Sequence, residues 1–218
     1  MKEFLRVTLT NNMVKEGEKS DREFFLILTI FRSIPALLVF HTLNEKQAVK
    51  EDMRRWGENE TLWCLHKLLV RSKLFRRIFL TRVSFESRNK QKILRLFYKP
   101  AEYFAIDVIS KKMGGGFLVS HGNSTIVYAQ SIGKNFLVHQ NVTIGRGKKI
   151  DGNDVPVIGD NVFVGTGAIV IGGIHIGNNV KIGAGALVNK DVPDNCTVVG
   201  NPMRIICKKE IEDEGTVN

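Results

Sequence analysis

The sequence predicts an α+β chain in which a helical N-terminal region is followed by a parallel β-helix. Three observations carry this. Ile126, Ile132, Val138 and Ile144 are spaced by six residues, and Ile158, Val164, Val170, Ile176, Ile182 and Val188 resume the same step. Of the 20 glycines, 18 fall after residue 110, whereas ten of the 13 phenylalanines fall before it. Before residue 110, apolar residues recur at three and four, the spacing of one helix face. A chain of 218 residues is long enough to bury a core in both regions.

The helical half reads as three segments, Ser33–Arg55, Thr61–Val83 and Gln91–Lys111. In the second, Leu62, Leu65, Leu68, Leu69, Phe75 and Phe79 line one stripe, Asn59 or Thr61 caps it, and Glu60 sits near its first turn. In the third, Ile93, Leu94, Leu96, Phe97, Phe104, Ile106 and Val108 are the apolar residues, and Pro100 marks a break. The stretch Phe24–Phe40 is hydrophobic but short for a membrane span and interrupted by Arg32 and Pro35, which favours a buried helix or strand–helix pair. The lone His41 and His66 in apolar surroundings read as satisfied core or interface residues.

Charge is uneven: residues 1–110 carry 21 Lys+Arg against 13 Asp+Glu, and the rest 11 against 9, so +8 and +2 make the net +10. Arg71, Lys73, Arg76, Arg77 and Arg82 cluster, yet no base-reading motif accompanies them, so no nucleic-acid partner is expected. A solvated helix face accounts for them first, and a surface meeting anionic lipid or an anionic glycan carrier second. Cys64, Cys196 and Cys207 lack the close spacing of a zinc or redox motif, so reduced thiols and no metal are expected. The opening residues have no apolar secretory core, and a cytoplasmic setting follows, at most at the inner face of a membrane.

In the second half, glycine often follows the periodic aliphatic, as at Gly133, Gly145, Gly159, Gly165, Gly177 and Gly183. A second apolar residue comes four later: Phe136, Val142, Val162, Ala168, Ile174, Val180, Ala186 and Val192. Three short strands per coil of about 18 residues explain both, with each aliphatic pointing inward and each glycine turning a corner. The gap from Ile144 to Ile158 exceeds the step, so a loop leaves the coil within Arg146–Pro156. Gly165–Gly173 superficially suggests a dinucleotide loop, but it keeps the six-residue register and opens no helix. Gly114–Gly116 reads as the junction into the first coil.

His121 and His139 lie one coil apart. Equivalent positions on adjacent coils would hold their backbones about 4.8 Å apart. Each follows a residue read as inward, Ser120 or Val138, so each is expected to point outward at one corner beside the projecting loop. The pair is either a catalytic cluster with coupled titration or an exposed polar ladder. His175 falls at another register and reads as a surface residue.

The tandem hexapeptides, the tail VGNPMRII (Val199–Ile206) and the segment VSHGNSTIVY (Val119–Tyr128) resemble hexapeptide-repeat acyltransferases, over residues 114–206. Within them the chain looks most like the serine acetyltransferase branch, closest to members that O-acetylate sugars of bacterial surface polysaccharide. The resemblance implies a left-handed β-helix, a homotrimer with active sites between subunits, and acetyl-CoA as donor. The family's catalytic histidine, in a pattern like L-D-H-A-T-G, falls on His121, with Ser120 in place of the aspartate. An upstream aspartate that orients the histidine matches Asp107, one residue short in spacing. Coenzyme A contacts carry over to Thr166, Ala184, Lys190 and Arg204. Where the branch carries Arg-His-Pro in its loop to grip the amino-acid substrate, this chain has Asp154, Val155 and Pro156.

An aspartate there should repel serine's carboxylate. The expectation is therefore an O-acetyltransferase acting on a sugar hydroxyl in surface polysaccharide biosynthesis, with Asp151 and Asp154 in the substrate loop and a peripheral contact with membrane-linked glycan. His121 would be the general base, with His139 assisting. Serine O-acetyltransferase of cysteine biosynthesis is the alternative, a nucleotide-sugar N-acyltransferase another, and a non-catalytic solenoid scaffold a further one. The expected organisation is a helical region over 1–112, the β-helix over 113–206 and a polar tail over 207–218.

Overall fold

The structure, a computed structural model, describes residues 23–207; the expected polar tail past Cys207 lies outside that range, as do the first 22 residues. The helices are α1 (Ile30–Thr42), α2 (Lys46–Arg55), α3 (Leu62–Arg71), α4 (Lys73–Glu86) and α5 (Arg88–Phe97), with residues 23–28 a helical lead-in to α1. Thr61 caps α3 by accepting from the Cys64 N–H, as its position before the apolar stripe suggested. The expected single helix over Thr61–Val83 is broken at Ser72. Its extended backbone lets its hydroxyl accept from the Phe75 N–H, so a new N-cap replaces a continuing turn.

The third expected helix ends at Phe97. Beyond Pro100 the chain forms strand β1 (Phe104–Val108), with Phe104 and Val108 turned into the core. The solenoid therefore takes its first strand from within the region read as helical.

Strands β1–β14 build three faces of a prism. The first holds β1, β3 (Thr125–Ala129), β6 (Thr143–Gly145), β9 (Ile169–Ile171) and β12 (Leu187–Val188). The second holds β4 (Ser131–Ile132), β7 (Val157–Ile158) and β10 (His175–Ile176). The third holds β2 (Leu118–Val119), β5 (Leu137–Val138), β8 (Phe163–Val164), β11 (Lys181–Ile182), β13 (Cys196–Val199) and β14 (Arg204–Cys207). All pairings are parallel except β13 with β14. The result is a left-handed parallel β-helix of hexapeptide repeats behind an N-terminal helical region.

Nine of the ten periodic aliphatics point inward, from Ile132 at 2% exposure to Val188 at 0%. The exception is Ile126, which is 50% exposed while Val127 is buried in its place. The register shows why. Val119 pairs with Val138, 19 residues on, and Val127 pairs with Ile144, 17 on, so the first coil carries two extra residues before β3 and one fewer after it. A one-residue slip turns every side chain of a strand to the other face.

The expected role of the glycines also changes. Gly133 and Gly159 do not turn the corner by positive φ; a Cβ on Gly133 would lie 2.4 Å from the Gly159 carbonyl carbon on the next coil. Their task is close stacking of backbones. The left-handed corner residues are instead Asn135, Asn161, Asn179 and Asn195, with φ of 55–60°. Their side-chain amides donate in turn to the next coil, 135 to 161, 161 to 179 and 179 to 195.

The expectation of three reduced thiols is corrected as well. The antiparallel return of β14 puts Cys207 opposite Cys196, and the two form a disulfide; Cys64 is free. His66 is buried as expected: its Nε2–H donates to the Leu26 carbonyl, and Nδ1 accepts from Ser33, whose oxygen is shared with Tyr98. Burial holds its pKa below the ordinary histidine value. His41 is exposed rather than buried.

The helices join the solenoid through Arg82, which is fully buried. Its guanidinium makes a two-pronged contact with Asp52 at 2.7 and 3.0 Å, reaches Glu45, and donates to the carbonyls of Met113 and Gly114. Asp52 accepts from the Phe117 N–H at 2.8 Å, and Trp56 Nε1 donates to the Phe117 carbonyl. Burial pushes the Asp52 carboxyl above its ordinary value, against the pull of Arg82 and Phe117.

Removing one partner strands the other in the interior, so Arg82→Ala is expected to cost about 3–5 kcal/mol in urea unfolding. Gly133→Ala should cost about 1–3 kcal/mol, read as a lowered Tm, because the coil above must give way to the new methyl.

Candidate active site

The corner between the third and first faces holds His121 and His139. Val119 is the inward residue of β2, so Ser120, not His121, is the partner of His139 on the next coil. The expectation that His121 and His139 hold equivalent positions is thus off by one. His121 has φ 65° and Gly122 φ 64°, a left-handed pair in which the Gly122 N–H turns back to the Ser120 carbonyl at 2.8 Å. For a histidine this conformation is uncommon, and here it absorbs one of the two extra residues of the coil. His121 is exposed.

The helical region props this corner. A Cβ on Gly122 would lie 2.6 Å from a Leu74 methyl of α4, so helix and corner are in close contact, and the φ of 64° favours glycine here. On the inner side, the buried Thr125 donates to the carbonyls of Asn123 and His139, which ties the corners of two coils together. His139 is half-buried, with its ring edge-on to Phe163 at 5.3 Å. Among the described residues neither imidazole has a hydrogen-bond partner, so both remain available to a ligand.

Extending the pairings of β5, β8 and β11 by two residues places Gln140, Thr166 and Ala184 in one column along this corner. In the first coil, where the Asn141 N–H donates to the Asn123 carbonyl, His121 and Gly122 together oppose Gln140 as a bulge at the head of that column. The Gly167 N–H donates to the Gln140 carbonyl and the Gly185 N–H to the Thr166 carbonyl, which locks the column. The structure therefore lines up Thr166 and Ala184 and sets His121 in the bulge at the head of their column. Arg204 pairs with Val199, which covers Gly183 beside Ala184, so it flanks the same column. Lys190 lies two residues past β12, on the far side of the first face, and is exposed.

Gln140 is a residue the sequence reading passed over. Its side-chain Oε1 is buried and has no hydrogen-bond partner among the described residues. A buried acceptor in that state lacks the donor that would offset its desolvation. Only its place opposite the His121–Gly122 bulge marks it, and that place is invisible until the register is known.

The remaining candidates gather at the other end of the first face. Asp107 is exposed and pairs across β1–β3 with Tyr128, three residues beyond Thr125, or about 10 Å along the strand. The structure does not join it to His121 within one chain. The loop leaves the coil within Arg146–Pro156, as its length implied. It folds as a hairpin, with Ile150 and Asn153 exchanging backbone hydrogen bonds around Asp151–Gly152, both of positive φ. It lies against Gly172–Gly173, where a Cβ on Gly173 would strike the Asn153 carbonyl. Asp151 is exposed at the hairpin tip.

Arg146 was also missed. Its guanidinium donates to Asp154 at 2.6 Å and to the Tyr128 hydroxyl at 3.0 Å, and stands over the Tyr128 ring. The Tyr128 contact first, then Asp154, holds it further in the charged form. Its side chain remains 64% exposed. Val155 and Pro156 are buried and support the hairpin rather than face solvent. Among the described residues no group of three or more His, Cys, Asp or Glu is placed to hold a metal ion, and no helix is long and apolar enough to cross a membrane.

Comparison with known proteins bears on the reaction. The family described as bacterial transferase hexapeptide (six repeats) matches residues 156–190. A serine acetyltransferase of Synechococcus elongatus is 43% identical over 101 residues, which cover 46% of this chain and 41% of that protein. The soybean serine acetyltransferase apoenzyme superposes with a TM-score of 0.55 at 30% identity, over 84% of this chain and 74% of that one. Neisseria gonorrhoeae serine acetyltransferase in complex with serine gives a TM-score of 0.52 at 27% identity, over 74% and 69%. The chain spans about two fifths of the length of the first curated relatives it matches.

These findings overturn the expected sugar acceptor, because the relatives and solved neighbours are serine acetyltransferases. The roles in polysaccharide biosynthesis and the contact with membrane-linked glycan fall with it. The electrostatic argument behind that expectation fails at the same place. Asp154 does not stand free to repel a carboxylate, since Arg146 neutralises it at 2.6 Å. With Lys148 and Lys149 against Asp151 and Asp154, the loop carries three cations to two acids. By its repeat and its left-handed β-helix, the chain belongs to the hexapeptide-repeat acyltransferases.

Proposed function

We propose that the chain transfers the acetyl group of acetyl-CoA to the hydroxyl of L-serine. The observation that carries this is His121, bulged at the head of the column Gln140–Thr166–Ala184 on one corner, in a chain whose relatives are serine acetyltransferases. His121 accepts the hydroxyl proton as the oxygen attacks the thioester carbonyl carbon. A neutral hydroxyl is a poor nucleophile, and such a base contributes roughly 10²–10⁴ in rate. The tetrahedral oxyanion is held by backbone N–H groups or by His139. On collapse the C–S bond breaks, the thiolate leaves and takes up the proton, and O-acetylserine and coenzyme A remain. Thr166 and Ala184 line the donor's path, with Lys190 and Arg204 near its phosphates.

Arg146 replaces the arginine that Asp154 displaced as the group facing serine's carboxylate. Within one chain it sits with Tyr128 and Asp107 at the far end of the first face from His121, so a cleft between copies is where the two halves meet. Ile126 and Ile169, 50% and 41% exposed on that face and stacked with Thr143 between them, supply an apolar seam for a homotrimer.

Acetyl-CoA thiol release should depend on added L-serine, and no serine-dependent release would overturn the reading. His121→Ala should lower kcat by about 10²–10⁴ with the oligomer intact. Arg146→Ala should raise KM for serine about tenfold or more, with a smaller effect on kcat, as loss of a charge-assisted contact predicts.

A further inference from the structure

Residues 23–42 form a helical stretch that is apolar on all sides, which normally places a helix in an interior. One side does pack: Leu26, Ser33, Ala36 and Phe40 are buried against α3 and α5. The opposite side carries Phe24, Ile27, Phe31, Ile34 and Leu38, spaced by three and four, at 62, 59, 77, 44 and 61% exposure. Beside it, α5 adds Ile93 at 55% and Leu96 at 84%. A surface this apolar on a water-soluble fold marks a docking site.

Charge says what covers it. α5, RNKQKILRLF, has four cations and no acid, and Arg88, Lys92 and Arg95 are exposed. Arg32 on α1 is held against this edge by donating to the Phe97 carbonyl at 2.6 Å, with its guanidinium over Tyr98. Across residues 23–42 and 88–97 the one carboxylate is Glu23. A second copy would bring like charges together around the apolar stripe, whereas an anionic bilayer satisfies both the stripe and its rim. The stretch is interrupted by a turn at Thr29, and among the described residues no helix is long and apolar enough to cross a membrane. It is suited to lying flat in an interface.

We propose that the α1–α5 face docks peripherally on anionic lipid, with Phe24, Ile27, Phe31, Ile34 and Leu38 at the acyl boundary and Arg32, Lys92 and Arg95 against lipid phosphates. This stands apart from the acetyl-transfer reading, and either can fail without the other.

The test is co-sedimentation of the full chain with vesicles of equimolar phosphatidylglycerol and phosphatidylcholine, and with phosphatidylcholine alone. Binding to the first, weakening with salt and at least tenfold poorer on the second, is the expected result. Lys92→Glu and Arg95→Glu should each weaken binding about fivefold or more. Phe31→Glu should abolish it, with the circular dichroism spectrum and serine-independent fold stability unchanged, and Leu96→Glu serves as a second probe should Phe31→Glu misfold. No sedimentation with anionic vesicles overturns the proposal, and so does equal binding to both compositions. A larger assembly in solution that Phe31→Glu or Leu96→Glu disperses, without vesicle binding, would assign the face to a second copy instead.

Discussion

Arg82 has five N–H groups and all five are used: two on Asp52, one on Glu45, and one each on the Met113 and Gly114 carbonyls. The two carbonyls belong to the junction where helices give way to coils, and Asp52 passes the constraint on to the Phe117 N–H. A fully enclosed guanidinium tolerates one arrangement of its acceptors, because any other leaves a buried charge or donor unpaired. Helices α2 and α4 and the start of the first coil are therefore fixed against one another as a unit. Phe117 lies four residues before His121, and Leu74 of α4 packs beneath Gly122. The helical region thus sets the entry angle of the first coil and supports the corner on which the chemistry is proposed to occur.

Much of this architecture was legible in the sequence. The six-residue step named nine inward positions and the gap after Ile144 located the loop, because a solenoid repeats one local environment and its interior selects the same residue type each time. What escaped were the departures from repetition. The first coil is long on one face and short on the next, so Ile126 turned outward and the alignment of His121 with His139 slipped by one. Strand β1 reads as a helix continuation, since Phe104, Ile106 and Val108 satisfy either spacing over so short a run. The disulfide depended on β14 reversing direction, which no local spacing of Cys196 and Cys207 conveys.

The site shows the same division. Residue types and their coil positions pointed to His121, Thr166 and Ala184; the pairing register stacks the latter two, and His121 sits in the bulge at their head. Gln140 and Arg146 were not singled out because nothing in their sequence neighbourhood is unusual; an unsatisfied Oε1 and an ion pair across the loop are facts of three-dimensional contact. The Asp154 case is instructive. A carboxylate judged alone repels an amino acid, but the same carboxylate paired with Arg146 helps to hold a guanidinium in place, and the sign of the local field is set by the pair.

Stacked parallel coils leave a row of unpaired N–H and C=O groups at each open end, on which another copy's strand could be laid down. At the N-terminal end the helices and β1 cover it. At the other end β14 turns back antiparallel along β13, anchored by the Cys196–Cys207 bridge, and presents a strand running the wrong way for the repeat. On that face, growth along the axis is opposed by strand direction rather than by charge.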